Sequence, residues 1–139
     1  MSSPAVEERT IGYRELVSAI QKAGAIETAA KAERAAEAVL GELGGCLSWP
    51  VAQTLAASLP RPVRQTLSRR SFQSSMSRFS PQAFVRSVAE RERVDLTQAA
   101  RHTRAVLLAL EQTLPGFLVE HLHRELAALW GPLTMLQLS

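Results

Sequence analysis

His121 and His123 are the first residues in this chain that invite a metal ion. Two positions apart on a helix, their side chains point about 200° from each other, so one ion cannot take both. His121 is expected to meet Glu125 one turn on, and His123 to lie near Glu120. His102 flanks the core face of its own helix. No carboxylate–histidine spacing typical of zinc or di-iron helices is present. The single cysteine, Cys46, follows Gly44-Gly45 at a helix end, where nothing activates a thiol; it reads as a small buried hydrophobe. The chain has no glycine-rich phosphate loop, no Gly-x-Ser-x-Gly and no His-Glu-x-x-His. Its carboxylates fall beside basic residues at helical spacing, as with Glu27 and Lys31, a solvated pairing worth about 0.3 kcal/mol. These readings predict no catalytic residue, no metal, no cofactor and no evident small-molecule substrate.

Binding residues are easier to find than reacting ones. Residues 61–104 carry ten arginines against Glu90, Glu92 and Asp95, a local charge of +7. Residues 1–45 and 105–139 each carry −2, so the whole excess of positive charge lies mid-chain. Within it, Arg69, Arg70 and Phe72, then Arg78 and Phe79, interleave cations with aromatics as a single-strand stacking surface does. The alternative is an ordinary linker whose phenylalanines clip onto the helices, or a serine-rich segment open to phosphorylation beside arginines. Trp49 and Trp130 each stand at a break between helices. There a tryptophan either caps the end of a core or serves as an exposed anchor for a partner. The candidate partner-binding residues are therefore Arg61, Arg64, Arg69, Arg70, Phe72, Arg78, Phe79, Arg86, Trp49 and Trp130.

These residues need a scaffold, and composition bounds it. The chain has 139 residues, 46% hydrophobic and 21% charged, enough for one globular domain with its own core. Aromatics are 5%, so aliphatic side chains and alanine must fill that core. A lone cysteine forms no internal disulfide and suits a reducing cytoplasm. The N-terminal residues lack the basic and apolar regions of a signal peptide. The longest apolar run, Ala105 to Leu110, is far short of the roughly 20 residues that a membrane span needs. A cytoplasmic protein without a membrane segment is expected.

Strand signals are nearly absent, and helix signals recur throughout. A helix is predicted from about Ile11 to Ala23, with Tyr13, Leu16, Val17 and Ile20 on one face and Gly24 as its stop. The next covers about Glu27 to Leu43, with a stripe of Ala29, Ala32, Ala36, Val39, Leu40 and Leu43. Its small residues let neighbours approach, which predicts a central position, and Gly44-Gly45 is expected to close it in a left-handed cap. Ser48 is a plausible N-cap for a third helix with Val51, Leu55 and Leu59 inward. Pro60-Arg61-Pro62 opens a short fourth helix with Val63 and Leu67, and an aperiodic connector follows over residues 68–79. Ser80-Pro81 starts a helix that buries Phe84, Val85 and Val88. Asp95 and Gln98 form a capping box for a long helix with Leu96, Ala99, Thr103, Val106, Leu107, Leu110 and Leu114 on one face. Leu118, Leu122, Leu126 and Leu129 line the next, and Trp130-Gly131-Pro132 is expected to break it before a short last helix.

A shift of 67 residues aligns the two halves: Arg34 falls on Arg101, Ala38-Val39-Leu40 on Ala105-Val106-Leu107, Leu55 on Leu122 and Leu59 on Leu126. The expectation is an all-α bundle of seven or eight helices, made of two tandem repeats packed with pseudo-twofold symmetry. Its parts are a disordered tail over residues 1–10, a first repeat near 11–67, the connector, and a second repeat near 80–138.

In the order and spacing of its helical segments the chain resembles the bacterial proteins carrying the domain of unknown function 2267. The resemblance runs from about Tyr13 to Leu133. It rests on Tyr13-Arg14-Glu15-Leu16-Val17, on Ala35 to Leu43, on Leu55-Ala56-Ala57-Ser58-Leu59-Pro60, on Phe84 to Arg91 and on Ala105-Val106-Leu107. The second half departs from the first where Leu126-Ala127 stands for Leu59-Pro60. The resemblance implies the helical fold and supplies no active site.

Two functional expectations follow. The first is a non-catalytic α-helical protein–protein interaction or adaptor module, self-associating through acidic and basic faces; by analogy alone, death-fold-like adaptors assemble so. The second is a nucleic-acid-binding protein that uses the arginine-rich centre.

Overall fold

The computed structural model describes residues 12–59 and 80–134. Among them are seven helices and no strand: α1 (Tyr13–Gly24), α2 (Ala29–Gly44), α3 (Trp49–Ser58), α4 (Pro81–Glu92), α5 (Leu96–Thr113), α6 (Gly116–Glu125) and α7 (Ala127–Thr134). The expected tail, the short helix with Arg61, Val63, Arg64 and Leu67, and the connector with Arg69, Arg70, Phe72, Arg78 and Phe79 lie outside the described residues.

The helix starts follow local chemistry. The Thr28 hydroxyl accepts from the Lys31 amide, Ser80 from that of Ala83, and the Asp95 carboxylate from that of Gln98 at 2.8 Å. Ser48 also stands at an N-cap, but its side chain makes no cap bond. Its hydroxyl and backbone N–H both donate to the Glu125 carboxylate at the end of α6, at 2.6 and 2.9 Å. A carboxylate 77 residues away thus takes both Ser48 donors, and the cap bond expected of the Ser48 side chain is not made.

The Gly24 stop is observed, whereas the left-handed close at Gly44-Gly45 needs correction. α1 ends at Gly24, yet the left-handed residue is Ala25, at φ 54°. The Ala25 and Ile26 N–H groups both donate back to the Gln21 carbonyl, as in a Schellman closure. Gly24 is needed for a different reason: a Cβ built there would lie 2.7 Å from the Ala105 Cβ on α5. Gly45, at φ −74° and ψ −13°, closes α2 in a right-handed turn, bonded to the Glu42 and Leu43 carbonyls. No described glycine has a positive φ. α4 repeats the α1 ending with Arg93 at φ 60° and the Val94 amide bonded to the Ala89 carbonyl.

The core is aliphatic. Leu16, Ile20, Leu40, Leu43, Leu55, Leu107, Leu110, Leu118 and Leu122 are fully buried, with Phe84 the largest side chain among them. Two predicted core positions are exposed. Ala29 and Leu96 are each the first residue of a helix, and a stripe at 3.6 residues per turn does not meet the neighbouring helix until the next turn. α1 packs most extensively on α5, α4 packs on both α5 and α2, and α5 also touches α2, α6 and α7. From Ala38 to Gly44 every residue of α2 is buried, so no side of that stretch faces water. The Tyr13 phenol bridges α1 to Glu33 on α2; burial first, and then Glu33 and Glu37, raise it above its usual pKa.

The chain breaks at Leu126 rather than at Trp130-Gly131-Pro132, and α7 runs through Pro132. The carbonyl left without a partner by that proline belongs to Ala128. Both residues are exposed, so water can satisfy it. Leu59 and Leu126 close α3 and α6, but Leu59 is extended at ψ 154° and Leu126 sits at ψ 33°. A residue before proline is driven to extended backbone. Ala127 imposes no such limit, and the next helix starts at once.

Gly24→Ala gains about 1 kcal/mol of helix propensity and loses about 1–3 kcal/mol to overpacking against Ala105. Denaturant titration should therefore show net destabilisation, relieved when Ala105→Gly is added; a Gly24→Ala variant more stable than its parent contradicts the close approach. Ser48→Asp, elsewhere an acceptable cap, should cost about 1 kcal/mol because it faces the Glu125 carboxylate, and adding Glu125→Gln should recover most of the loss in the same titration.

Candidate functional site

Of the predicted partner residues within the described chain, the structure separates three. Trp130 is buried, stacks at a tilt on His123 with ring centroids 5.3 Å apart, and donates its indole N–H to Glu111. It is a core residue with a satisfied polar edge. Trp49 is 56% exposed at the start of α3. Arg86 is exposed on α4 and lines a shallow apolar groove with Val85, Leu96 and Ala100. The other seven predicted positions fall outside the described residues.

His102 and His123 take partners across helices, and His121 meets Phe117 on its own helix. His123 bonds Glu111 at 3.1 Å, where Glu120 was expected. Glu125 is held by Ser48, and His121 lies edge-on to Phe117 with centroids 6.4 Å apart. The Glu27–Lys31 pairing is absent among the described salt bridges, because α2 starts at Ala29 and leaves Glu27 before the Thr28 cap. No group of three metal-ligating side chains occurs among the described residues.

The structure gathers a different set. The α1–α2 turn and the α4–α5 turn meet around a cleft of about 390 Å³. Lys31 and Arg34 from the start of α2, and Arg93 and Arg101 from the α4–α5 turn and α5, line it against the carboxylates Glu27 and Glu92. Arg101 donates to the Gly24 carbonyl at 3.3 Å, which ties one turn to the other. The side chains of Lys31, Arg34 and Arg93 bond no other described residue.

Beneath these cations lies a buried acid–base pair. The Glu92 side chain is 4% exposed, and its Oε1 lies 2.8 Å from His102 Nδ1. Oε2 is buried with no hydrogen-bond partner. A buried acceptor left unmade costs about 1–3 kcal/mol, and Glu92 lines the cleft. The arrangement sets exposed cations over a buried carboxylate that His102 holds.

Sequence reasoning passed over this cluster although two signals were present. Glu92 occupies the next inward position after Phe84, Val85 and Val88, where a charge marks either a buried pair or a site. Arg34 and Arg101 correspond at the 67-residue offset, yet only the fold shows that both face one cleft.

The model of a family described as an uncharacterized conserved protein, DUF2267, matches residues 13–133. No curated protein and no solved structure matches the chain. Spanning nearly all the described helices, α1 through α7, the match identifies the chain as a member of the DUF2267 family.

Proposed function

We propose that this protein is a non-catalytic helical module that works by protein–protein contact, with a second copy of itself as the partner. The observation that carries this reading is the exposure of two large aromatics on one helical layer. Trp49 and Phe117, 56% and 58% exposed, stand in the first turns of α3 and α6, which pack on each other. Exposed tryptophan and phenylalanine are costly in water, and tryptophan with arginine dominates interface hot spots. Charge supports a like partner, since an arginine-rich middle and acidic outer segments complement one another between two copies.

A tandem origin of the two halves belongs to the same proposal. α2 and α5 start 67 residues apart, as do α3 and α6, and α1 packs on α5 while α4 packs on α2. The cytoplasm is the proposed compartment; no described helix is long and apolar enough to cross a membrane.

Light scattering from about 1 µM to 1 mM should show a rising mass that falls back as salt is added. Trp49→Ala with Phe117→Ala should weaken association by about tenfold or more. A mass that stays monomeric over the whole range sinks the reading.

A further inference from the structure

We infer that α6 of one copy docks along α4 of a second copy, with Phe117 entering the apolar groove between α4 and α5. This docking rests on the self-association proposed above and names the two surfaces that meet. The groove holds about 250 Å³, below the roughly 300–1,000 Å³ of a small-molecule pocket, and it suits a single large side chain. Val85, Leu96 and Ala100 give it an apolar lining, and the exposed Arg86 lines it with them. Leu96 is 55% exposed there, an apolar side chain that only an outside group can cover. Phe117 is a matching occupant, exposed in the first turn of α6. His121, one turn on, stands at 87° to its ring, which restrains the ring before it binds.

A shallow groove and an exposed ring are each commonplace alone; the spacing of charge joins them. On α4, Arg86 and Glu90 lie four residues apart, and on α6, Glu120 and Arg124 lie four residues apart with the signs reversed. All four are exposed, and none has a hydrogen bond or ion pair with a described residue. Laid parallel with Glu120 opposite Arg86, the helices also set Arg124 opposite Glu90, since both rise about 1.5 Å per residue. The same register puts Phe117, three residues before Glu120, opposite Ala83, three before Arg86. That is the end of α4 where Pro81, Gln82 and Val85 line the groove. One register therefore seats the ring and pairs both sets of charges, an apolar anchor with a charged rim. Within one copy, α4 packs on α2, α5 and α7, and α6 packs on α3, α5 and α7. The two faces are left open there, so the contact lies between copies.

Sedimentation velocity on the intact chain tests the docking. Arg86→Glu and Glu120→Arg, both at exposed positions, should each weaken self-association by about tenfold or more, because like charges then face each other. An equal mixture of the two variants should associate about as tightly as the parent, since every contact between unlike copies again pairs opposite charges. Leu96→Ser, also at an exposed position, should weaken association by about fivefold or more through the groove alone. A mixture that associates no better than either variant overturns the docking, while association of the parent leaves the broader reading standing. Association that Leu96→Ser does not change overturns the groove as the seat of Phe117, the outcome expected if residues 68–79 of the same chain or a different protein fill it. A parent that stays monomeric up to about 1 mM overturns the docking and the self-association together.

Discussion

The bundle depends on how closely α1 can approach α5. At Gly24 the two backbones come so near that a Cβ would meet the Ala105 Cβ at 2.7 Å. Packing in a core this dense leaves no slack for such an overlap. The approach has a consequence at the turn that follows. Because the glycine is spent on the contact, the left-handed position passes to Ala25, which carries a cost that glycine would avoid. The same approach brings the Gly24 carbonyl within reach of Arg101. The cleft wall is thus a product of this close helix contact.

α4 is fixed by charge where α1 is fixed by size. Arg91 and Glu92 are adjacent, so on a helix their side chains diverge by about 100°. Arg91 reaches Glu42 on α2 at 2.7 Å, and Glu92 reaches His102 on α5 at 2.8 Å. One turn of α4 therefore clamps onto both long helices. The two pairs differ in completeness. Glu42 and Arg91 join groups 7% and 31% exposed, so the arginine keeps water on one side. Glu92 lies deeper and keeps an oxygen without a donor. Losing one member of a buried pair is costly in general because the other charge is stranded, and such pairs set position more surely than they add stability.

Much of the helical plan was legible in the sequence because it is written in local chemistry. Ser80-Pro81 and Asp95 start helices through bonds to amides three residues on, and the stripe from Leu16 to Ile20 buries itself through spacing alone. Ser48 shows where legibility ends. Its type marked a helix start, but its partner is Glu125, a contact no spacing rule contains. Trp49 and Trp130 looked alike as residues at helix breaks; packing exposed one and buried the other. Gly24 shows the same limit. Gly24 stands where a stop is expected, and its purpose is a neighbour 81 positions away.

The sequence by itself determined an all-helical chain, the positions of most helix ends, and an aliphatic core, because capping bonds and the 3.6-residue period act within one or two turns. Only the tertiary structure decided which charges share a site. Lys31, Arg34, Glu92, Arg93, Arg101 and His102 come from four segments, and nothing local relates them. Their meeting is set by the approach of α1 to α5 and by the clamp at the end of α4, where size and charge act between residues far apart in the chain.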